Sequence, residues 1–354
     1  MTEIPKPEVF KNLKEEGVVG TNYTVLCMKD ESSFLIGSTV KGLMVFNHGS
    51  QVYSKKFKSY ESILDAQYIE TKHCYLLCMD KDIYRKDIDN KDPYIFVFSR
   101  GRFGTYTGLS FRYSPLNDFL AAVFESDKMV VLNPRQKKFN TFLRTVTKLD
   151  QEAENPLTHE KELSIARRIS DFRIIGDNQD RIATVNRAGI VSVHSVRTQF
   201  KRFSLKLPDQ TNTQRHLTSY AIACCPDNKY LCVASFQQKD GDKFAVHVFE
   251  IKQIGIVLAS SVTRESEWNF LGSPFCFFNS TEKVVEFLLI ERKTNSLAKI
   301  EFNKQVKTIN VSPGTGDSAV ESEERSVSRL QKVGDSVYYA GIEGKIMKLA
   351  TATA

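Results

Sequence analysis

The stretch Arg181–Val196, RIATVNRAGIVSVHSV, reads as two short strands, RIATV and IVSVHSV, joined by the tight polar turn Asn186–Gly189. Alternate positions fit a period of two: Ile182, Thr184, Ile190, Ser192 and His194 against Ala183, Val185, Val191 and Val193. Two alternating arms around a Gly-containing break are the signature of a β-hairpin.

Looser copies of this hairpin recur along the chain. A polar turn followed by an apolar arm appears as VKGLMVFN from Val40, DKDIYRKDI from Asp80 and SDKMVVLN from Ser126. It returns as RAGIVSVHS from Arg187, DGDKFAVHVFE from Asp240, TNSLAKIEF from Thr294 and IEGKIMKLA from Ile342. Each copy follows a strand-like run: SFLIGS, CYLLCM, FLAAVFE, RIATV, YLCVASF, VVEFLLI and SVYYAG. Seven copies at a spacing of roughly 40 to 60 residues suit one four-stranded propeller blade per copy. Runs upstream (TVLCM, ILDAQYI, GLSFRYS, ISDFRII, YAIACC, SPFCFF, VSRLQKV) and downstream (VYSKKF, YIFVFS, FNTFLRT, FKRFSLKL, GIVLASSV, VKTINV) supply first and fourth strands. The last unit stops after its third strand, while an orphan strand-like run, Glu8–Leu13, stands at the N-terminus. If that run completes the last unit, a ring closes and two exposed sheet edges vanish together.

In this strand order, in turns such as Arg187–Gly189, and in third strands ending on a polar residue (VFN at Asn47, VLN at Asn133, VFE at Glu250), the chain resembles the WD-repeat β-propellers along essentially its whole length. The resemblance is to a divergent member. No Trp-Asp dipeptide ends a third strand and no Gly-His pair opens a unit, so the family's buried His–Ser/Thr–Asp–Trp network is not carried over and packing must hold the blades. The expected architecture is all-β: one seven-bladed β-propeller domain over residues 1–354. Its blades fall approximately at 22–58, 62–99, 108–144, 169–206, 218–263, 272–311 and 326–354, the last completed by 8–13.

Composition sets the outer bounds. At 354 residues the chain is long enough for two average domains or for one large all-β domain, and 41% hydrophobic and 26% charged residues are ordinary for a soluble globular protein. A formal charge of +7 permits an acidic partner without requiring one. No run approaches the ~18 apolar residues needed to span a bilayer, and the charged, Pro-containing N-terminus is not a secretory signal. Seven cysteines, all in apolar runs, point to a reducing intracellular compartment, cytoplasmic or nuclear, with thiols serving as small core residues.

Within the blade pattern the long insertions share one edge of the ring: Ser99–Thr107, Thr145–Arg168, Leu207–Thr218, Thr263–Leu271 and Ser312–Arg325. Links on the other edge, such as SPLND at Ser114–Asp118 and PDNK at Pro226–Lys229, are short. Binding residues concentrate on loops held by a rigid frame, so the insertion-rich edge is the expected working face. The largest insertion carries HEKELSIARR from His159, readable as a short helix or as a solvated loop; its capping box is poor, with Lys161 where an acid or amide is wanted.

Chemical motifs are sparse. Cys74 and Cys78 point to one side of a strand but ~13 Å apart, too far for one zinc, and the adjacent Cys224 and Cys225 point to opposite sides. No metal or cofactor is therefore expected. The glycine-containing GRFGTYTG, Gly101–Gly108, lies between two strands instead of opening a helix, so it is no phosphate cradle. The six histidines are scattered, and no GxSxG elbow occurs. First strands carry mostly apolar residues, which argues against a channel-sited enzyme. Basic residues recur in the expected fourth strands (Lys55, Lys56, Lys58; Lys137, Lys138, Arg144; Lys201, Arg202, Lys206; Lys304, Lys307), either as protection of exposed edges or as a nucleic-acid surface. The Phe-Arg-Arg-Gly motif of phosphoinositide-binding propellers is absent.

Trp268, the single tryptophan, sits in the insertion SEWNFL. With Phe270, Phe103 and Tyr106, and with Arg100, Arg102 and Arg187 for charge, it can form an aromatic-basic patch; alternatively Trp268 or Phe270 plugs a gap between blades. The functional expectation is a non-enzymatic protein–protein interaction scaffold or subunit of a larger assembly, binding its partner on the insertion-rich face. The alternative is nucleic-acid or anionic-surface binding through the basic outer strands.

Overall fold

The computed structural model describes residues 8–13, 23–38, 42–55, 63–79, 82–88, 95–99, 111–114, 116–117, 119–124, 128–133, 138–142, 169–196, 201–208, 218–237, 243–265, 275–290, 297–313, 330–340 and 345–350. The hairpin at Arg181–Val196 is present as β15 (Arg181–Asn186) and β16 (Ile190–Ser195), with Arg181 opposite Ser195 and Val185 opposite Val191. Its turn closes through Gly189 N–H to the Asn186 carbonyl at 3.0 Å, while the Asn186 side chain accepts from Ile190 N–H at 2.9 Å. Gly189 holds φ +71°, the left-handed conformation that favours glycine.

Strands of the described residues form seven four-stranded antiparallel sheets. The first sheet comprises β2 (Tyr23–Met28), β3 (Phe34–Ser38), β4 (Gly42–Asn47) and β5 (Ser50–Lys55). The second follows with β6 (Ile63–Ile69), β7 (Cys74–Met79), β8 (Asp82–Asp87) and β9 (Ile95–Ser99). In the third are β10 (Phe111–Ser114), β11 (Phe119–Phe124), β12 (Lys128–Asn133) and β13 (Lys138–Phe142). The hairpin sits inside the fourth, between β14 (Ile169–Ile175) and β17 (Lys201–Lys206). The fifth contains β18 (Thr218–Cys224), β19 (Tyr230–Gln237), β20 (Lys243–Ile251) and β21 (Ile256–Glu265). The sixth contains β22 (Phe275–Ser280), β23 (Val284–Ile290), β24 (Leu297–Asn303) and β25 (Thr308–Pro313). The seventh has β26 (Gln331–Val333), β27 (Ser336–Ala340) and β28 (Lys345–Ala350), and draws its fourth strand from the other end of the chain. That strand is β1 (Glu8–Asn12), antiparallel to β28, with Glu8 opposite Lys348 and Asn12 opposite Lys345.

Alternation is visible in the core, but both faces of a sheet are buried. In the first sheet Leu26, Met28, Phe34, Ile36, Met44 and Phe46 pack with Tyr338, Ala340 and Ile346 of the seventh. Their neighbours one residue over, Val25, Cys27, Leu35, Leu43 and Val45, pack with Ile63, Tyr75 and Leu77 of the second. In the hairpin itself Ala183, Val185, Val191 and Val193 meet Tyr220, Ile222 and Val233 of the fifth sheet, while Ile182 turns to Phe119 and Ala121 of the third. A strand must therefore be apolar on both sides, and the period of two marks which neighbouring sheet each side chain meets. The polar positions Ser192 and His194 are buried as well, and Ser192 shares a hydrogen bond with Ser204 across to β17 at 2.9 Å.

One expected boundary is corrected. Lys304 and Lys307 do not belong to a fourth strand, because β25 begins at Thr308. The Asn303 side chain accepts from Gln305 N–H and Val306 N–H, and Lys307 adopts φ +56°, so the segment turns before the strand starts. The expected short helix from His159 lies outside the described residues. Among the described residues, no helix is long and apolar enough to cross a membrane.

Candidate functional site

The inner strand of every sheet borders one shared cavity of about 480 Å³. Leu26 of β2, Gln67 of β6, Arg112 of β10, Arg173 of β14, Cys224 of β18, Phe277 of β22 and Lys332 of β26 all line it. The inner strands also hold one another directly. Gln331 of β26 accepts from Met28 N–H at 2.7 Å and returns its own Nε2–H to the Met28 carbonyl at 2.8 Å. Gln67 repeats the clasp on Tyr113 of β10, accepting at 2.8 Å and donating at 3.4 Å. A glutamine amide is suited to this because it offers donor and acceptor on one rigid plane, matching the N–H and C=O of a neighbouring strand.

Aspartates form a second type of link. The runs Ile63-Leu-Asp65 and Ile169-Ser-Asp171 both contain a break in strand register, after which the aspartate accepts from the next backbone N–H (Ala66 at 2.9 Å, Phe172 at 2.8 Å). Asp65, 2% exposed, then receives Arg112 NH1 of the third sheet at 3.3 Å. Asp171 receives Ile222 N–H of the fifth sheet at 2.9 Å and its own strand's Arg173 at 2.8 Å. Each carboxylate thus carries both an intra-strand and a cross-sheet contact.

Further links run between the turns. Arg181, 6% exposed, donates to the Lys252 carbonyl of the fifth sheet. It passes close over Gly176, whose φ is +93° and whose missing Cβ would lie 2.9 Å from the guanidinium. Glu250 takes both Lys252, within its own sheet, and Lys307 from the sixth; these hydrogen bonds, Lys252 first, hold its carboxyl below the usual glutamate range. Between the seventh and first sheets, Glu31 accepts from Lys348 at 2.8 Å and from the buried Tyr338 hydroxyl, and the same two bonds lower its pKa.

Of the residues expected to form the partner patch, Arg100, Arg102, Phe103, Tyr106, Trp268 and Phe270 lie outside the described residues. Arg187 is half-buried in the β15–β16 turn, on the edge that also bears the long connections. Lys304 donates to Ser280 and Thr281, and Lys307 to Glu250, so these two members of the basic series serve the frame. Cys27, Cys74, Cys225 and Cys232 are buried free thiols and Cys224 is half-buried. Burial pushes the Cys74 and Cys232 thiols above their ordinary range, which suits packing and not nucleophilic chemistry. Cys225 joins the apolar cluster shared with the sixth sheet, and Cys224 packs against the one shared with the fourth. Among the described residues, no three His, Cys, Asp or Glu side chains gather as a metal site.

First strands carry mostly apolar residues, but three of their cations meet at one wall. Arg112, Arg173 and Lys332 converge on the cavity with Gln67 and Gln331. The only sequence-level sign was a cation inside each of the runs FRYS, DFRII and QKV.

No protein-family model matches this sequence, and no curated protein matches it. Among solved structures, that of the Myceliophteria thermophila Cps50 (Swd1) β-propeller domain aligns with 98% of this chain and 100% of its own, with a TM-score of 0.60 at 11% sequence identity. At that identity the likeness concerns the fold alone. The chain has a β-propeller fold.

Proposed function

We propose that this chain is a non-enzymatic interaction platform, a seven-bladed ring closed by β1, that binds a partner protein as one subunit of a larger assembly. The observation that carries the reading is the contrast between the two edges of the sheets. On one edge, the described first-to-second and third-to-fourth strand links Cys225–Lys229 and Lys252–Gly255 are tight turns, hydrogen-bonded within themselves. Those around Arg181, Glu250 and Lys307 are also tied to neighbouring sheets. On the other edge stand the long connections between β9 and β10, β13 and β14, β17 and β18, β21 and β22, and β25 and β26. Long loops held by a rigid frame are where binding residues concentrate.

Support for ring closure is that β1 completes the seventh sheet, that the seventh sheet packs on the first, and that all seven inner strands border one cavity. A partner segment would bury Trp268 and Phe270 as anchors, with Arg100, Arg102 and Arg187 steering an acidic counterpart. The test is recovery of co-purifying chains by the tagged full-length protein and by its Trp268→Ala/Arg102→Ala variant. Loss of one or more chains from the variant, with an unchanged circular dichroism spectrum, is expected. Identical recovery from both proteins would refute the patch.

A further inference from the structure

The inner wall has a charge pattern that the partner reading does not use. Among the described residues, every charged side chain lining the cavity is a cation: Arg112 from the third sheet, Arg173 from the fourth and Lys332 from the seventh. The carboxylates that accompany the two arginines, Asp65 and Asp171, stand behind the wall and are not among its lining residues. Positive charge therefore faces the cavity and negative charge faces the frame.

We propose that this cavity binds a compact oxyanion bearing two or more negative charges, carried on phosphate or carboxylate groups. The two carboxylates behind the wall offset part of the charge of the three cations and leave it positive, and an anion with two or more charged groups can engage cations from three sheets at once where a monovalent one meets a single group. The guanidinium group is a planar fork of five donors that pairs two oxygens of one anion at once, and two such forks come from adjacent sheets. Lys332 Nζ is anchored on the Phe278 carbonyl and lies 4.9 Å from the centre of the Phe277 ring. It acts as a placed point charge, not a mobile tether. Gln67 and Gln331 add neutral amides to the same wall, each clasped to its neighbouring strand. A volume of about 480 Å³ admits a small molecule and excludes a folded domain.

The site differs from the loop-edge patch, so the two readings fail separately. The test is isothermal titration of the full-length protein with tripolyphosphate and with citrate at low salt. Tripolyphosphate alone binding assigns the phosphate form, and citrate alone or both binding assigns the carboxylate or a general oxyanion site. Arg173→Gln and Lys332→Gln are each expected to weaken binding at least ~10-fold, while Lys332→Arg retains it. Lys229→Gln, on an exposed turn, is expected to leave it unchanged. If Arg173→Gln does not fold, Lys332→Gln and its arginine rescue carry the comparison. Absence of binding of both anions to the unaltered protein overturns the proposal, as does an equal loss on Lys229→Gln.

Discussion

Replacing Lys299 with methionine strips the counter-charge from two glutamates that face each other across β23 and β24. Lys299 Nζ lies 2.9 Å from Glu286 and 3.6 Å from Glu301, and the lysine and Glu286 side chains are only 4% and 10% exposed. Glu286 and Glu301 are direct cross-strand partners. Leu288 and Leu297 on the same face close against the seventh sheet. Removing one member of such a buried pair typically costs ~3–5 kcal/mol. The expected loss is thus ~3–4 kcal/mol. The paired variant Glu286→Met/Lys299→Met removes the charge together with its partner and is expected to cost less than ~1 kcal/mol. Urea midpoints by circular dichroism, at equal slope, measure all three proteins. A loss below ~1 kcal/mol for Lys299→Met, or an equal loss in the paired variant, would refute the reasoning.

The glutamine clasps should differ in strength. Gln331→Leu frees both the amide and the carbonyl of Met28 and should cost ~2 kcal/mol, against ~1 kcal/mol for Gln67→Leu, whose return bond to Tyr113 is longer. Amide hydrogen exchange at Met28 and Tyr113 reads each loss directly, and equal protection in variant and parent would contradict the assignment. Glu31 supplies the pH-dependent seam. Its folded pKa is lowered by Lys348 and Tyr338, so its contribution is complete above the ordinary value of 4.5 and disappears as pH falls through the lower folded value. Glu31→Gln should therefore flatten the acid limb of the stability curve below pH 4.5, and an unchanged limb would count against the pairing.

How much of this was legible depends on the length scale of the signal. The hairpin at Arg181–Val196 could be read locally because its turn chemistry and its alternation lie within sixteen consecutive residues. The N-terminal run at Glu8 was legible only by counting, as the strand wanting a sheet, and its register with β28 came from the structure. Lys304 and Lys307 were misplaced because the fourth-strand run was read from Val306, two residues before β25 begins. The Asn303 side chain, by capping two backbone amides, ends the strand pattern there. Arg112, Arg173 and Lys332 were not recognisable as a group. Each is one cation in a short run, and only the convergence of inner strands from separate sheets brings them to one wall. The aspartates at 65 and 171 were closer to readable, since ILDAQYI and ISDFRII share the same spacing, but their cross-sheet partners are 47 and 51 residues away.

The pairing of β1 with β28 also has a temporal meaning. During synthesis β1 emerges first and its partner last, with Lys348 following Glu8 by 340 positions. Until then β1 has no sheet, and the six sheets between them can assemble from local hairpins alone. Bringing the two ends together carries a loop-closure entropy of about 5 kcal/mol for an unstructured chain of that length. Prior folding of the intervening sheets removes most of that cost, because it delivers the ends already near each other. A five-residue strand is then enough to latch what the other sheets have brought into range. The same seam, joined across the longest sequence separation of the described strand pairings, is where the molecule is expected to open first under load.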